Sequence, residues 1–214
     1  MEDEDQLVYR SGVGSVLFLL KHSRPGLSNC VHELSKVMDG ANQAHNKALL
    51  RTIKYVDLTK YKKLVLESNE DAKWELKGFC DSDFAGDSDN RNSVSGFVVY
   101  FCGVPISWRS KAQRSVSLSS TEAKYMAISE VATEILFVNG ILNFMGVPPK
   151  YPIQVLVGNI WAIYLSENAT TSDHTKHIDT RYHFVRNYIE DGIIKVTFIK
   201  SEDNVADVFT KNFC

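Results

Sequence analysis

The sequence predicts an α/β fold, a mixed sheet flanked by helices and preceded by a helical extension. Three observations lead there. Apolar residues recur at helical spacing up to about residue 68, the pattern changes to period two near residue 72, and a strand meander is then followed by alternating helices and strands. In the extension, Val13, Val16, Leu17 and Leu20 form one stripe, and Ser23-Arg24-Pro25-Gly26 breaks it. Val31, Leu34, Val37 and Met38 form a second stripe, and Ala48, Leu49, Ile53 and Val56 a third. Such thin stripes predict few contacts of a complete core, so residues 1–70 read as the tail of something larger and residues 71–214 as the principal domain.

In the principal domain, Trp74, Leu76, Gly78 and Cys80 alternate with Glu75, Lys77, Phe79 and Asp81, which predicts a strand. Residues 96–101 and 104–108 surround Cys102-Gly103 as a hairpin, and residues 116–118 read as a further short antiparallel strand. Ser119 and Glu122 have capping-box spacing. Behind them Ile128, Val131, Ile135, Val138, Leu142 and Met145 trace one face of a long helix, closed by Gly146 with Pro148 and Pro149 beyond. Residues 153–157 read as a buried strand, 161–167 and 179–188 as helices, 193–199 as a strand and 203–211 as a last short helix.

The chain has 214 residues, 44% hydrophobic and 23% charged, enough to bury a core without staples. A net charge of -2 does not announce a nucleic-acid binder, but phosphate contacts depend on local clusters of Lys and Arg. Cys30, Cys80, Cys102 and Cys214 form no C-x-x-C pair, which argues against a zinc site and for reduced thiols in an intracellular protein. The acidic start does not resemble a secretory signal, and no apolar run approaches the roughly 20 residues of a membrane span, so no membrane partner is expected. Tyr55-Val56-Asp57 imitates the start of a polymerase Tyr-x-Asp-Asp signature. Leu58 stands where the second carboxylate would be, so no polymerase active site is expected in this chain.

Three carboxylates stand at the ends of predicted elements or close to them. Asp81 ends the first strand, Glu122 opens the long helix and Asp207 lies near the C-terminus. Strand ends and helix first turns meet at one edge of such sheets. Converging carboxylates repel unless a cation separates them, and oxygen ligands suit magnesium or manganese. Taken singly, Asp81 is also a turn residue, Glu122 a capping partner and Asp207 a solvated helix residue. Asp83, Asp87 and Asp89 have the density of a calcium loop but lack its closing glutamate.

The stretches CDSDFAGD at 80–87, PISWRSKAQRSVSLSSTEAKY at 105–125, TKHIDTRYHFVR at 175–186 and ADVFTK at 206–211 resemble the ribonuclease H domain of copia-type retrotransposon Pol polyproteins, in the same order. YRSGVGSVLFLLKHSRPGLS at 9–28 and KVMDGANQAHNKALLRTIKYV at 36–56 resemble the segment joining reverse transcriptase to that domain. The resemblance implies a ribonuclease H-like fold with a five-stranded mixed sheet, and hydrolysis of the RNA strand of RNA–DNA hybrids with two Mg2+ or Mn2+ ions. Asp81, Glu122 and Asp207 match the catalytic, metal-binding carboxylates. The remaining aspartate belongs to an Asp-Asn pair that here reads Gly158-Asn159, so the ligand position at Gly158 is lost and activity is expected to be impaired. Gly158→Asp is then expected to raise cleavage.

Arg109, Lys111 and Arg114, with Ser117, Ser119 and Ser120, form a candidate nucleic-acid contact. Lys176, His177, Arg181, His183 and Arg186 form a second basic set, in which His177 and His183 are candidate auxiliary groups and otherwise capping or core histidines. Trp108 and Trp161 read as core. The implied partners are RNA–DNA hybrid, reverse transcriptase and the other Pol domains, and the implied location is a cytoplasmic virus-like particle and the nucleus. Three readings stay open: a metal-dependent endoribonuclease, an inactive nucleic-acid-binding relic, and a structural domain of a polyprotein.

Overall fold

The computed structural model describes residues 3–67, 74–87, 91–167 and 176–211, with backbone alone at 3, 176–180 and 182. The chain divides into two compact units, Met1–Val65 with Asn212–Cys214, and Leu66–Lys211.

The first unit holds α1 (Asp3–His22), a 3-10 turn (Pro25–Leu27), α2 (Ser28–Lys36) and α3 (Gln43–Leu58). Helix α1 buries Tyr9, Val13 and Val16, spaced four and three apart on one face, while Leu17 lies off that face and is exposed. They pack with Leu27, Val31, Leu34, Ala41 and Leu49, and the Tyr9 hydroxyl donates to the Leu34 carbonyl at 2.9 Å. This is a small core of its own, fuller than the thin stripes predict. Each stripe is narrow, but three segments and the turn between them contribute to one cluster. Tyr55-Val56-Asp57 lies inside α3.

The second unit is a five-stranded sheet in the order β3-β2-β1-β4-β5. Strands β1 (Leu76–Asp83), β2 (Val94–Phe101) and β3 (Val104–Ala112) form an antiparallel meander. Its hairpin turns on Cys102 and Gly103 with φ of 51° and 80°, the two positive values that a tight two-residue loop requires. Strand β4 (Ile153–Val157) runs parallel to β1, and β5 (Ile194–Phe198) parallel to β4. Helix α4 (Ser120–Phe144) precedes β4, and α5 (Ile160–Glu167) and α6 (Lys176–Glu190) precede β5.

Helix α4 lies against β1 closely enough that a Cβ at Gly78 would stand 2.6 Å from Val131 and 2.8 Å from Ile135. The core beneath it includes Leu76, Cys80, Val99, Ile128, Val131, Ile135, Val155 and Val157. By length and composition α4 is apolar enough to cross a membrane, which corrects the expectation that no run was. Half of its most apolar stretch is buried inside the protein, as for the core helix of a sheet-containing domain.

A separate cluster joins Val98, Ala206 and Phe209 to Phe79, Tyr100 and Trp108. Here the expected C-terminal helix is replaced by two 3-10 turns, Ser201–Asp203 and Val205–Phe209. Asn204 separates them, its side chain capping Ala206 N–H at 3.1 Å and donating to the Cys80 carbonyl at 3.0 Å. Gly96 admits this docking, since a Cβ there would stand 2.6 Å from the Phe209 Cβ and 2.8 Å from the Thr210 Cγ2.

Two further expectations are corrected. Residues 116–118 are not a strand: Val116 and Leu118 are exposed, and the meander continues through β3 to Ala112 instead. Trp161 is 70% exposed rather than core, because α5 buries its opposite face through Ala162 and Ser166. Cys30, Cys80 and Cys102 are free thiols, and Cys214 lies outside the described residues.

Candidate functional site

The parallel register pairs Cys80 with Val157, the last residue of β4, so Asp81 lies level with Gly158; Asp81 does not end its strand as expected, because β1 runs on to Asp83 and pairs Asp81 with Gly96 of β2. Asp81 is buried, and both carboxylate oxygens are engaged. Lys124 Nζ donates to Oδ1 at 2.6 Å, and Thr210 Oγ1 donates to Oδ2 at 2.8 Å. Lys124 begins the second turn of α4, in line with Ile128, Val131 and Ile135 on the sheet-facing stripe. A Cβ at Gly158 would be 4.0 Å from the same Lys124 Nζ and 3.6 Å from Ser201 Oγ. The lysine ammonium therefore reaches both Asp81 and the space that Gly158 leaves.

Asp207, in the turn Val205–Phe209, accepts a hydrogen bond from Lys211 Nζ. That hydrogen bond holds the Lys211 ammonium above its ordinary pKa, helped by the charges of Asp207, Asp81 and Asp83 and opposed by partial burial. Asp83 is shifted up, first by burial and then by the Asp81 charge, with Lys211 acting against both. Asp81, Asp83 and Asp207 thus share the field of one lysine.

Glu122 is placed elsewhere. Its backbone N–H donates to Ser119 Oγ at 3.1 Å, and its carboxylate accepts from Leu118 N–H at 2.7 Å. Both bonds close the start of α4. The capping reading of Glu122 accounts for its bonds, although the carboxylate reaches one residue beyond the N-cap. Two positions further along the helix the chain has turned by about 200°, so position 124, not 122, faces Asp81. The structure brings together Asp81, Gly158 and the Asp207–Lys211 pair, adds Lys124, and leaves Glu122 at the helix cap.

Among the described residues, no three His, Cys, Asp or Glu side chains are grouped so as to hold a metal ion. The donor set gives the reason: Asp81 and Asp207 each already answer an ammonium. Two dications bridging a phosphodiester need anionic oxygens, and this pocket supplies cations of its own. The residues present do not fit a two-metal centre.

Arg109, Lys111 and Arg114 are exposed, and with Arg181 they line a cleft of about 440 Å3 that also contains Glu130 and Glu134. Arg109 pairs with Glu130 at 2.9 Å and lies over the Phe97 ring at 5.0 Å from its centre. Glu134 accepts from Ser107 Oγ at 2.7 Å. Ser119 and Ser120 are exposed at the start of α4, whereas Ser117 is buried and is no surface contact. The Ser117 hydroxyl donates to Gln113 Oε1 at 2.7 Å, and Gln113 Nε2 donates to Ser95 Oγ and the Ala123 carbonyl, each at 2.8 Å. His183 is exposed on α6, while the side chains of Lys176 and His177 and the whole of Asp89 lie outside the described residues.

Sequence reasoning missed Lys124, Thr210 and Gln113. A signal existed for the first: extending the stripe Ile128-Val131-Ile135 back by one turn lands on Lys124, a charge where an apolar residue belongs.

No protein-family model matches the chain. The retrovirus-related Pol polyprotein from transposon RE2 of Arabidopsis thaliana is 34% identical over 207 residues, which are 97% of this chain and 14% of that protein. The corresponding polyprotein from transposon TNT 1-94 of Nicotiana tabacum is 36% identical over 203 residues, 95% of this chain and 15% of that protein. Over nearly its whole length this chain is related to one segment of the retrovirus-related Pol polyproteins of transposons. It spans about one seventh of the length of those relatives. It is also similar to secreted RxLR effector protein 161 of Plasmopara viticola, 40% identical over 129 residues, 60% of this chain and 89% of that protein. Among solved structures, the foamy viral protease-reverse transcriptase in complex with RNA/DNA hybrid matches 94% of this chain and 27% of its own, with TM-score 0.52 and 14% identity. The fold is the ribonuclease H-like one that the motifs imply, a meander of three strands continued by two parallel strands with helices between.

Proposed function

We propose that this segment of a transposon Pol polyprotein is a ribonuclease H module that grips RNA–DNA hybrid without cutting it. The observation that carries the reading is the Lys124 ammonium, 2.6 Å from Asp81, standing where divalent-cation hydrolysis would need an open, anionic pocket. Gly158 deepens the same defect, since it offers no ligand on the adjacent strand. Binding rests on a different surface. Arg109, Lys111, Arg114 and Arg181 outnumber Glu130 and Glu134 along the cleft, and such clusters neutralise phosphates and release their counterions. The foamy viral protein of similar fold is described with an RNA/DNA hybrid, and the same duplex is the ligand proposed here. Reverse transcriptase and the other Pol domains are the proposed neighbours, within an intracellular particle.

Two readouts on the same protein test this. Hybrid binding should be present in EDTA and in manganese alike, and should weaken, with a shallower salt dependence, when Arg109, Lys111 and Arg114 are replaced by alanine. Cleavage of the RNA strand should not exceed that of an Asp81→Asn blank. Cleavage above the blank would favour the endoribonuclease reading. No binding at any salt would favour a purely structural domain.

A further inference from the structure

We propose that the Lys124 ammonium is this pocket's built-in substitute for a divalent cation. It rests on the reading of the pocket as non-cutting, and it says what fills the pocket instead. The geometry is specific. The ammonium is bonded to Asp81 Oδ1 at 2.6 Å and stands 4.0 Å from a Cβ placed on Gly158, so it reaches neighbouring positions on β1 and just past β4. Its side chain is 19% exposed and that of Asp81 4%, so the charge is held inside rather than waving in solvent. Lys211, with its side chain half exposed, pairs with Asp207 nearer the surface. Lys124 and Lys211 thus answer Asp81 and Asp207, with Asp83 also in the field of Lys211, and a dication approaching Asp81 would meet an ammonium already in place.

One consequence separates this inference from the simpler idea of a single missing ligand. Gly158 lies outside the positive-φ glycines, and a Cβ added to it would make only ordinary contacts of 3.6 Å and beyond, so a side chain fits there. A carboxylate introduced at 158 would meet the Lys124 ammonium first. Gly158→Asp by itself gives the lysine a second counter-ion and builds no metal site. Both positions must change before a cation can be bound between them.

The test is a manganese titration of the full chain without nucleic acid, so its failure would leave hybrid binding by the cleft untouched. Thermal unfolding is followed for the native chain, Gly158→Asp, Lys124→Gln and Lys124→Glu/Gly158→Asp. The native chain and Gly158→Asp should show no saturable manganese effect. The double variant should gain about 5–10 °C in its midpoint once manganese is in hundredfold excess over the dissociation constant. A saturable shift in the native chain that Asp81→Asn abolishes would overturn the proposal, as would a folded double variant that ignores manganese. If circular dichroism shows the double variant unfolded, Lys124→Gln decides, because it removes the charge and keeps a donor for Asp81. Manganese should then broaden the amide signals around Asp81 more strongly than in the native chain, and equal broadening would overturn the idea.

Discussion

Lys124 stands on the sheet-facing stripe of α4, and Asp81 is what makes it tolerable there. Each alone would be a charge taken out of water; together they share a bond of 2.6 Å, and Thr210 satisfies the second carboxylate oxygen. Removing one partner of a buried pair leaves the other uncompensated, at a cost of about 3–5 kcal/mol, whereas replacing both with groups of similar size is often neutral. Lys124→Met should therefore lower the unfolding free energy in urea by about that amount, and Asp81→Asn/Lys124→Met should recover most of it. Equal losses in the single and the double variant would show that the pair contributes little. At this scale the site is only partly legible in the sequence. Asp81 and Asp207 stand out from their blocks, and Gly158 stands out as a gap. The Ser119-to-Glu122 spacing draws attention to Glu122, although that spacing marks a helix cap and the stripe behind it points to Lys124.

At the scale of elements, the pocket depends on a short C-terminal turn held against β1 and β2. Gly96 is the position that lets it approach, since any Cβ there would collide with Phe209 and Thr210. Gly96→Val should cost about 1–3 kcal/mol by overpacking and should loosen the Thr210 contact with Asp81. Chemical denaturation reads the first effect and faster exchange of the Thr210 amide the second; a fully stable variant with native exchange would show that the turn docks elsewhere. Strands β1 and β2 and helix α4 are legible because their patterns are long and regular, and the two short parallel strands because they are compact apolar runs. The turn is not, because Val205, Val208 and Phe209 fit a short helix as well as a 3-10 turn, and only Asn204, reaching across to the Cys80 carbonyl, decides between them. Residues 116–118 mislead for a related reason: alternating Val116 and Leu118 look like a strand, but the chain there is committed to the Gln113–Ser117 bond instead.

At the scale of the molecule, the helical unit and the sheet unit each enclose their own buried cluster. We propose on that basis that residues 66–211 fold without residues 1–65. Expressed alone, they should unfold cooperatively and keep dispersed amide signals; an insoluble or molten product would show that the helical unit is needed. The charge arrangement also belongs to this scale, because a net charge of -2 conceals four cations gathered along one cleft and a lysine drawn into a pocket beside Asp81. The most direct measurement of the lysine's role is a crystal of the full chain soaked in manganese, with anomalous scattering collected at the manganese edge. Lys124 Nζ should be bonded to Asp81, with no anomalous peak between Asp81 and Gly158. A manganese ion on Asp81, with Lys124 swung away, would contradict a pocket that carries its own cation.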